Sequence, residues 1–172
     1  MYQVPEHVHT ELLSAEVARK HLAYDAETGF FSWLVHGGKR RVGARAGSRH
    51  SKGYRCICLL ERMYFEHRLA FLIQTGAWPE QLVDHINGER DDNRWANLRS
   101  ATPTLNQQNL QRAPSNSATG LIGAFLCRTT GLYRARIKVD KKIVELGRHK
   151  TAEEAHRAYL TAKRSLHEGC TI

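Results

Sequence analysis

The chain has 172 residues, 41% of them apolar, and a formal net charge of +9, enough for one ordinary domain or two small ones with an adequate core. No apolar run has the length of a bilayer span and residues 1–10 carry no apolar signal region, so a soluble, cytoplasmic protein with neither anchor nor leader is expected. The positive excess favours a polyanionic partner.

In chain order, Ser14 is a cap for a short helix over residues 15–22, with Val17, His21 and Leu22 on one side. Residues 25–29 are turn chemistry, and 30–33 read as a strand. Gly37, Gly38, Gly43, Gly47 and Gly53 then punctuate a loop in which Lys39, Arg40, Arg41, Arg45, Arg49, Lys52 and Arg55 meet no acid. Whether this loop touches a partner is left open. Residues 54–60 form the next strand. Cys56 and Cys58, two apart, share one of its faces and are expected to be buried thiols. None of the 4 cysteines forms a C-x-x-C pair, so neither structural zinc nor a disulfide framework is expected. Residues 64–74 follow as an amphipathic helix that Gly76 ends.

Residues 82–86 are a short strand, Asn87-Gly88 is a turn signal, 91–97 form a polar loop, and 98–101 return as a second strand. Thr102-Pro103 opens a helix, Thr as cap and Pro at the first helical position, that carries Asn106 and ends near Arg112. Residues 113–119 (APSNSAT) are small and polar and read as a linker. Beyond residue 112, 11 Lys+Arg face 5 Asp+Glu, which places +6 of the net charge in the last 60 residues. Residues 133–139 alternate strictly: Arg134, Arg136 and Lys138 on one face, Tyr133, Ala135, Ile137 and Val139 on the other. Residues 140–142 turn the chain, and 143–147 add a third strand to that one and to 123–127. Thr151 with Glu154 reads as a capping box for a terminal helix, whose apolar stripe is Ala155, Ala158, Tyr159, Ala162 and Leu166. The pattern is α+β: a hairpin followed by a helix, then a small three-stranded antiparallel sheet with one helix.

The residues that carry chemistry are Asp84, His85, Asn97 and Asn106. Phosphodiester hydrolysis needs an activated water, a cation against the phosphoryl oxygens and help for the leaving oxygen. His85 is the best base available, because imidazole is near half-neutral at physiological pH. Asp84 offers a charged oxygen ligand and Asn106 a neutral one. An all-oxygen, partly hydrated site suits one Mg²⁺ or Mn²⁺ rather than zinc. Asn97 is best used to tie the loop and orient His85. Alone, Asp-His before Asn-Gly is ordinary turn chemistry; the offsets of Asn97 and Asn106 and the Thr-Pro helix start shift the balance. Asn87 and Asn93 read as turn formers. Strict alternation puts Asp84 and His85 on opposite faces, so the strand is expected to end or bulge there.

This Asp-His … Asn … Asn pattern resembles HNH endonucleases with a ββα-metal fold, over residues 24 to 110, and in particular the phage homing endonucleases, whose last ligand is often Asn. The resemblance implies that His85 is the general base, Asp84 and Asn106 are the metal ligands and Asn97 is the middle structural Asn. His67-Arg68 matches the family's upstream pair in a supporting role. With Asn106 in third place the motif is H-N-N. The resemblance also suggests a phage-encoded protein acting in bacterial cytoplasm.

Residues 120–168 resemble an AP2/ERF DNA-binding domain: Gly-Ala-Phe, Tyr-Arg-Ala-Arg-Ile, Leu-Gly, Thr-Ala-Glu-Glu-Ala and Ala-Tyr. That family docks its sheet in the major groove, which implies DNA contact by Arg134, Arg136 and Lys138, with Arg128 and Arg148 near the strand ends. Ile143, Glu145 and Phe125 stand where plant members place base-contacting residues, so base preferences do not carry over. The expected organisation is an HNH nuclease domain over residues 1–112 (core 64–112), a linker at 113–119 and an AP2-like domain over 120–172. The expected function is metal-dependent cleavage of double-stranded DNA, nicking or double-strand, with no protein partner implied. The alternative is a non-cleaving DNA-binding regulator on a relic HNH fold.

Overall fold

A computed structural model describes residues 13–38 and 40–171, and the chain parts into two compact units between Ala101 and Thr102. Both mix helices with small antiparallel sheets, and among the described residues no helix is long and apolar enough to cross a membrane.

The first unit opens with α1 (Ala15–His21), where Ser14 Oγ accepts from Val17 N at 3.2 Å. β1 (Leu22–Tyr24) and β2 (Phe31–Trp33) pair antiparallel. A three-stranded sheet follows, β3 (Ser48–Arg49), β4 (Arg55–Leu59) and β5 (Arg62–Phe65), in that spatial order. The strand β5 is not expected from sequence. Its hairpin turns on Leu60 and Glu61, at φ 49° and 64°, a left-handed pair normally advertised by Asn or Gly. Helix α2 (Glu66–Thr75) therefore starts two residues later than the pattern suggested, with Glu66 and His67 in its first turn, and closes on left-handed Gly76. Leu22, Phe31, Ile57, Leu59, Leu69 and Leu72 form the centre of the core. Cys56 is buried as expected, but Cys58 on the same face of β4 is exposed: the two residues of the short β3, Ser48 and Arg49, pair with Cys56 and Arg55 and reach no further along β4. The unit ends in the hairpin of β6 (Leu82–His85) and β7 (Leu98–Ala101), with a 3₁₀ turn at Trp95–Asn97 leading into β7.

The second unit begins with α3 (Pro103–Gln108), capped by Thr102, whose Oγ1 accepts from Leu105 N at 3.2 Å. It is shorter than expected, and the residues after it are held by the C-terminal tail. Gly169 N donates to Gln108 Oε1 at 3.1 Å, Gln111 Nε2 to Thr171 Oγ1 at 2.8 Å, and buried Lys163 Nζ to Leu110 O. These bonds explain why the compact units part ahead of α3 and not at the linker expected over 113–119. β8 (Ala124–Leu126), β9 (Tyr133–Val139) and β10 (Lys142–His149) form an antiparallel sheet with β9 central, and α4 (Ala152–Leu166) packs on it. Thr151 Oγ1 accepts from Glu154 N at 3.2 Å, while Glu154 returns its bond to Lys150 N at 3.0 Å, one residue upstream of a capping box. Ala124, Ala135 and Ala155 are the centre of this small core, so helix and sheet approach closely. At Gly123, φ 75°, any Cβ would collide with the Tyr159 ring.

Candidate active site

The register of β6 and β7 sets out the site. Asp84 lies opposite Arg99 and His85 opposite Leu98, with regular pairing through the last residue of β6. The strand ends at His85 and does not bulge, so the two side chains alternate. Arg99 grips Asp84 from across the ladder, Nε at 3.1 Å and Nη2 at 2.9 Å from Oδ2. Both Asp84 and His85 are buried, at 6% and 4% exposure.

His85 faces polar and aromatic groups, not the aliphatic core. Its Nε2 lies 3.1 Å from Asn93 Oδ1, and its ring meets His67 edge-on at 5.2 Å between centroids and Tyr54 at 6.0 Å. Asn93 Nδ2 donates to Glu66 Oε2 at 3.0 Å. Glu66 is fully buried and takes Arg55 Nε on both oxygens, at 3.0 and 3.2 Å, while Arg55 Nη2 donates to Gly47 O at 3.2 Å. A chain of four side chains thus runs Arg55, Glu66, Asn93, His85. Gly47 (φ 84°) is part of its wall, since a Cβ there would meet Glu66 Oε1. Burial lifts the Glu66 carboxyl above the ordinary range, opposed by Arg55. Burial likewise lowers His85, against the pull of Asn93 and Asp84, so the ring is biased to its neutral form. His67 is pushed well below the usual histidine range, first by burial and then by His85 and Arg68, and its Nδ1 has no hydrogen-bond partner among the described residues. Arg68 lies over the Trp78 ring at 5.9 Å.

The loop between β6 and β7 is tied from inside. Asn97 Oδ1 accepts from Asn87 N at 2.9 Å and Nδ2 donates to Asp92 O at 2.7 Å, while its backbone carbonyl takes Ile86 N at 2.9 Å. Asn87 acts as a turn former, with Oδ1 accepting from Glu89 N at 2.9 Å and Nδ2 donating to Asp92 Oδ2 at 2.7 Å. Asp92, held by Arg94 above all, is pulled down to about 2. Asn93 is no surface turn former: it is 1% exposed, and its own carbonyl receives Tyr24 Oη at 2.7 Å.

Asn106 lies on α3 in the second unit. In that unit's sheet, Phe125 is the cross-strand partner of Arg134, and Arg134 of Arg148, so these side chains share a face with Arg136 and Lys138, away from buried Ala135 and Ile137. Arg134 pairs with Glu145, and the Arg136 guanidinium stacks over Phe125 at 4.0 Å. Arg128 sits in the turn after β8. Sequence reasoning missed Arg55, Glu66, Asn93 and Arg99. An acid on the helix stripe of Leu69 and Leu72 was the readable signal for Glu66; Arg99 needed the strand register.

Among the described residues no group of three His, Cys, Asp or Glu converges on one point, which does not suit a soft ion ligated wholly by protein. A hard cation that keeps most of its own water fits a single oriented carboxylate such as Asp84 supplemented by an amide oxygen.

A family model described as HNH endonuclease matches residues 64–108, from the end of β5 through α3. The match supports an HNH nuclease and suggests nuclease activity on DNA. No curated protein and no solved structure matches the chain.

Proposed function

We propose that the protein is a metal-dependent DNA endonuclease in which His85 is the general base and Asp84 and Asn106 hold one Mg²⁺ or Mn²⁺. The observation that carries this reading is the environment of His85. An imidazole biased to neutrality by burial, and held on a strand end by hydrogen bonding, directly follows a carboxylate residue in the stretch that matches an HNH endonuclease. When bound, the cation would supply charge stabilisation at the phosphoryl and leaving oxygens. His85 takes a proton from water at a ring nitrogen. Asn97 fixes the loop over residues 86–97 and thereby the end of β6 that bears His85. Arg99 holds the Asp84 carboxylate in one orientation, and His67 and Arg68 act as supports.

In this reading double-stranded DNA is gripped by the sheet face of the second unit through Arg134, Arg136, Lys138 and Arg148, with Arg128 beside it. This is the AP2-like part of the proposal, and the homing-type, phage-encoded setting in a bacterial cytoplasm goes with it. The Arg136–Phe125 stack supports it, since a guanidinium resting on a ring is pre-ordered for a phosphate or base edge.

Supercoiled plasmid incubated with the purified protein, with and without Mg²⁺, tests the reading: nicked or linear product should require the cation. His85→Ala should lower cleavage about 10²–10⁴-fold while leaving DNA binding intact. Undiminished cutting by that variant would remove His85 as the base. One observation favours a second reading, a DNA-binding regulator that does not cleave. Asp84 is engaged by Arg99 and His85 is almost wholly covered. Tight, salt-sensitive duplex binding without cation-stimulated product would select it.

A further inference from the structure

The buried polar chain behind His85 does more than fill space, because its donors and acceptors can be ordered in only one way. Arg55 donates to both oxygens of Glu66, so both act as acceptors. The Asn93 group 3.0 Å from Glu66 Oε2 must then be the NH₂, since an amide oxygen there would face a carboxylate. Turning the NH₂ toward Glu66 turns Asn93 Oδ1 toward His85, where Nε2 lies 3.1 Å away. An amide oxygen only accepts, so Nε2 must carry the proton. A neutral imidazole protonated on Nε2 has its lone pair on Nδ1. Neither acid nor amide is at the surface, so solvent does not scramble the order: Glu66 is 0% and Asn93 1% exposed. Two further contacts hold the relay in place. Tyr24 Oη clamps the Asn93 carbonyl, and a Cβ at Gly47 would strike Glu66.

We infer that Glu66, acting through Asn93, is a positioning device that locks His85 in the Nε2–H tautomer and so assigns Nδ1 as the nitrogen that accepts the proton from water. Neither residue touches substrate; both act through His85. The inference deepens the nuclease reading and rests on it for its catalytic meaning, whereas the tautomer itself does not depend on any reaction.

Nitrogen NMR of histidine-labelled full-length protein reads the tautomer directly, with the His85 signals assigned by their loss in His85→Gln. The wild type should show a neutral ring protonated on Nε2. In Asn93→Leu this preference should collapse to a mixture, and the cleavage rate at saturating DNA should fall about 10–100-fold with DNA affinity unchanged. The double exchange Glu66→Gln with Asn93→Asp guards against simple unfolding. It keeps total charge, lets the new amide on α2 donate to the new carboxylate in the loop, and leaves that carboxylate to accept from Nε2, so it should restore the Nε2–H ring. A wild-type ring protonated on Nδ1, or an Asn93→Leu protein that keeps either the Nε2–H signal or the full cleavage rate, would overturn the inference. The expected tautomers in a protein that cuts no DNA would sink the nuclease reading and leave the relay standing. Cleavage by the wild type and equally by Asn93→Leu would do the reverse.

Discussion

In the first unit two of the charges around the site are packed away: Glu66 and Asp84 are buried, each against a guanidinium, from Arg55 and Arg99 respectively. In the second unit the sheet face keeps its charges near solvent. Arg134 and Glu145 pair with 39% and 47% of their side chains exposed, and Lys138 is exposed. The difference suits the two kinds of work proposed for the units. A base that must meet one water in one orientation needs neighbours that cannot move, and hydrogen-bonded interior ion pairs supply that rigidity. A surface that meets a long polyanion gains from charge left accessible, since release of counterions dominates such binding. Substitutions should therefore disturb stability in the first unit and affinity in the second.

The largest expected effect is on Arg55. Arg55→Met leaves Glu66 buried without its cation, a change of the kind that costs about 3–5 kcal/mol. An unfolding free energy in urea within about 0.5 kcal/mol of wild type, the range of an ordinary surface substitution, would mean that the interior pair is not what holds α2 against β4. Next comes Arg99→Met, which leaves the Asp84 carboxylate without its cross-strand guanidinium. The metal-free protein should melt lower. If Asp84 is a cation ligand, Mg²⁺ should raise the melting temperature of this variant more than that of wild type, because binding stabilises only the folded state. Equal Mg²⁺ shifts in the two proteins would disconnect Asp84 from the cation.

How much of this could be read from the residues differs between the two units for a physical reason. The caps at Ser14, Thr102 and Thr151, the alternation of 133–139 and the return strand at 98–101 are local patterns, and the structure contains each of them. The relay behind His85 is not local. Arg55, Glu66, Asn93 and His85 come from β4, α2, a loop and β6, and nothing in Asp-Asp-Asn-Arg separates an interior Asn from a turn-forming one. Strand β5 was hidden because Leu60-Glu61 lacks the chemistry of the turn it makes. The grouping of α3 with the second unit was hidden too, because the bonds responsible link residues 108–111 to 163–171.

A smaller effect concerns acid. Folding holds His67 well below its ordinary value because the ring is buried beside His85 and Arg68. Above about pH 6.5 both folded and unfolded chains carry it neutral and nothing is gained or lost. As pH falls below that, the unfolded chain takes up a proton that the folded one refuses, so stability should drop by roughly 1.4 kcal/mol per pH unit at most. His85, lowered in the same direction, adds to the slope. Melting temperatures from pH 7.5 to 5 should show the decline, and His67→Gln should flatten it. An unchanged slope in that variant would assign acid sensitivity elsewhere.

The smallest effect sharpens the other side of the comparison. Arg134 and Arg136 look equivalent in the alternation of β9, but the structure distinguishes them. Arg134 spends its guanidinium on Glu145, which holds the Glu145 carboxyl below its usual range, whereas Arg136 lies over the ring of Phe125. Removing Arg136 should therefore weaken DNA binding more than removing Arg134. Glu145→Gln should do the opposite of both: it deletes a negative charge from the face and releases Arg134 for a phosphate. Affinity should rise a few-fold at low salt, and the slope of log K against log salt should steepen by about 0.9, the increment for one more phosphate contact. A stability change would not mimic this, because an exposed pair contributes little to folding and loses that little in salt. If Glu145→Gln leaves the salt slope unaltered while Arg136→Gln lowers affinity on random and specific duplexes alike, Arg134 stays off the DNA and the grip runs through the Phe125–Arg136 edge of the sheet alone.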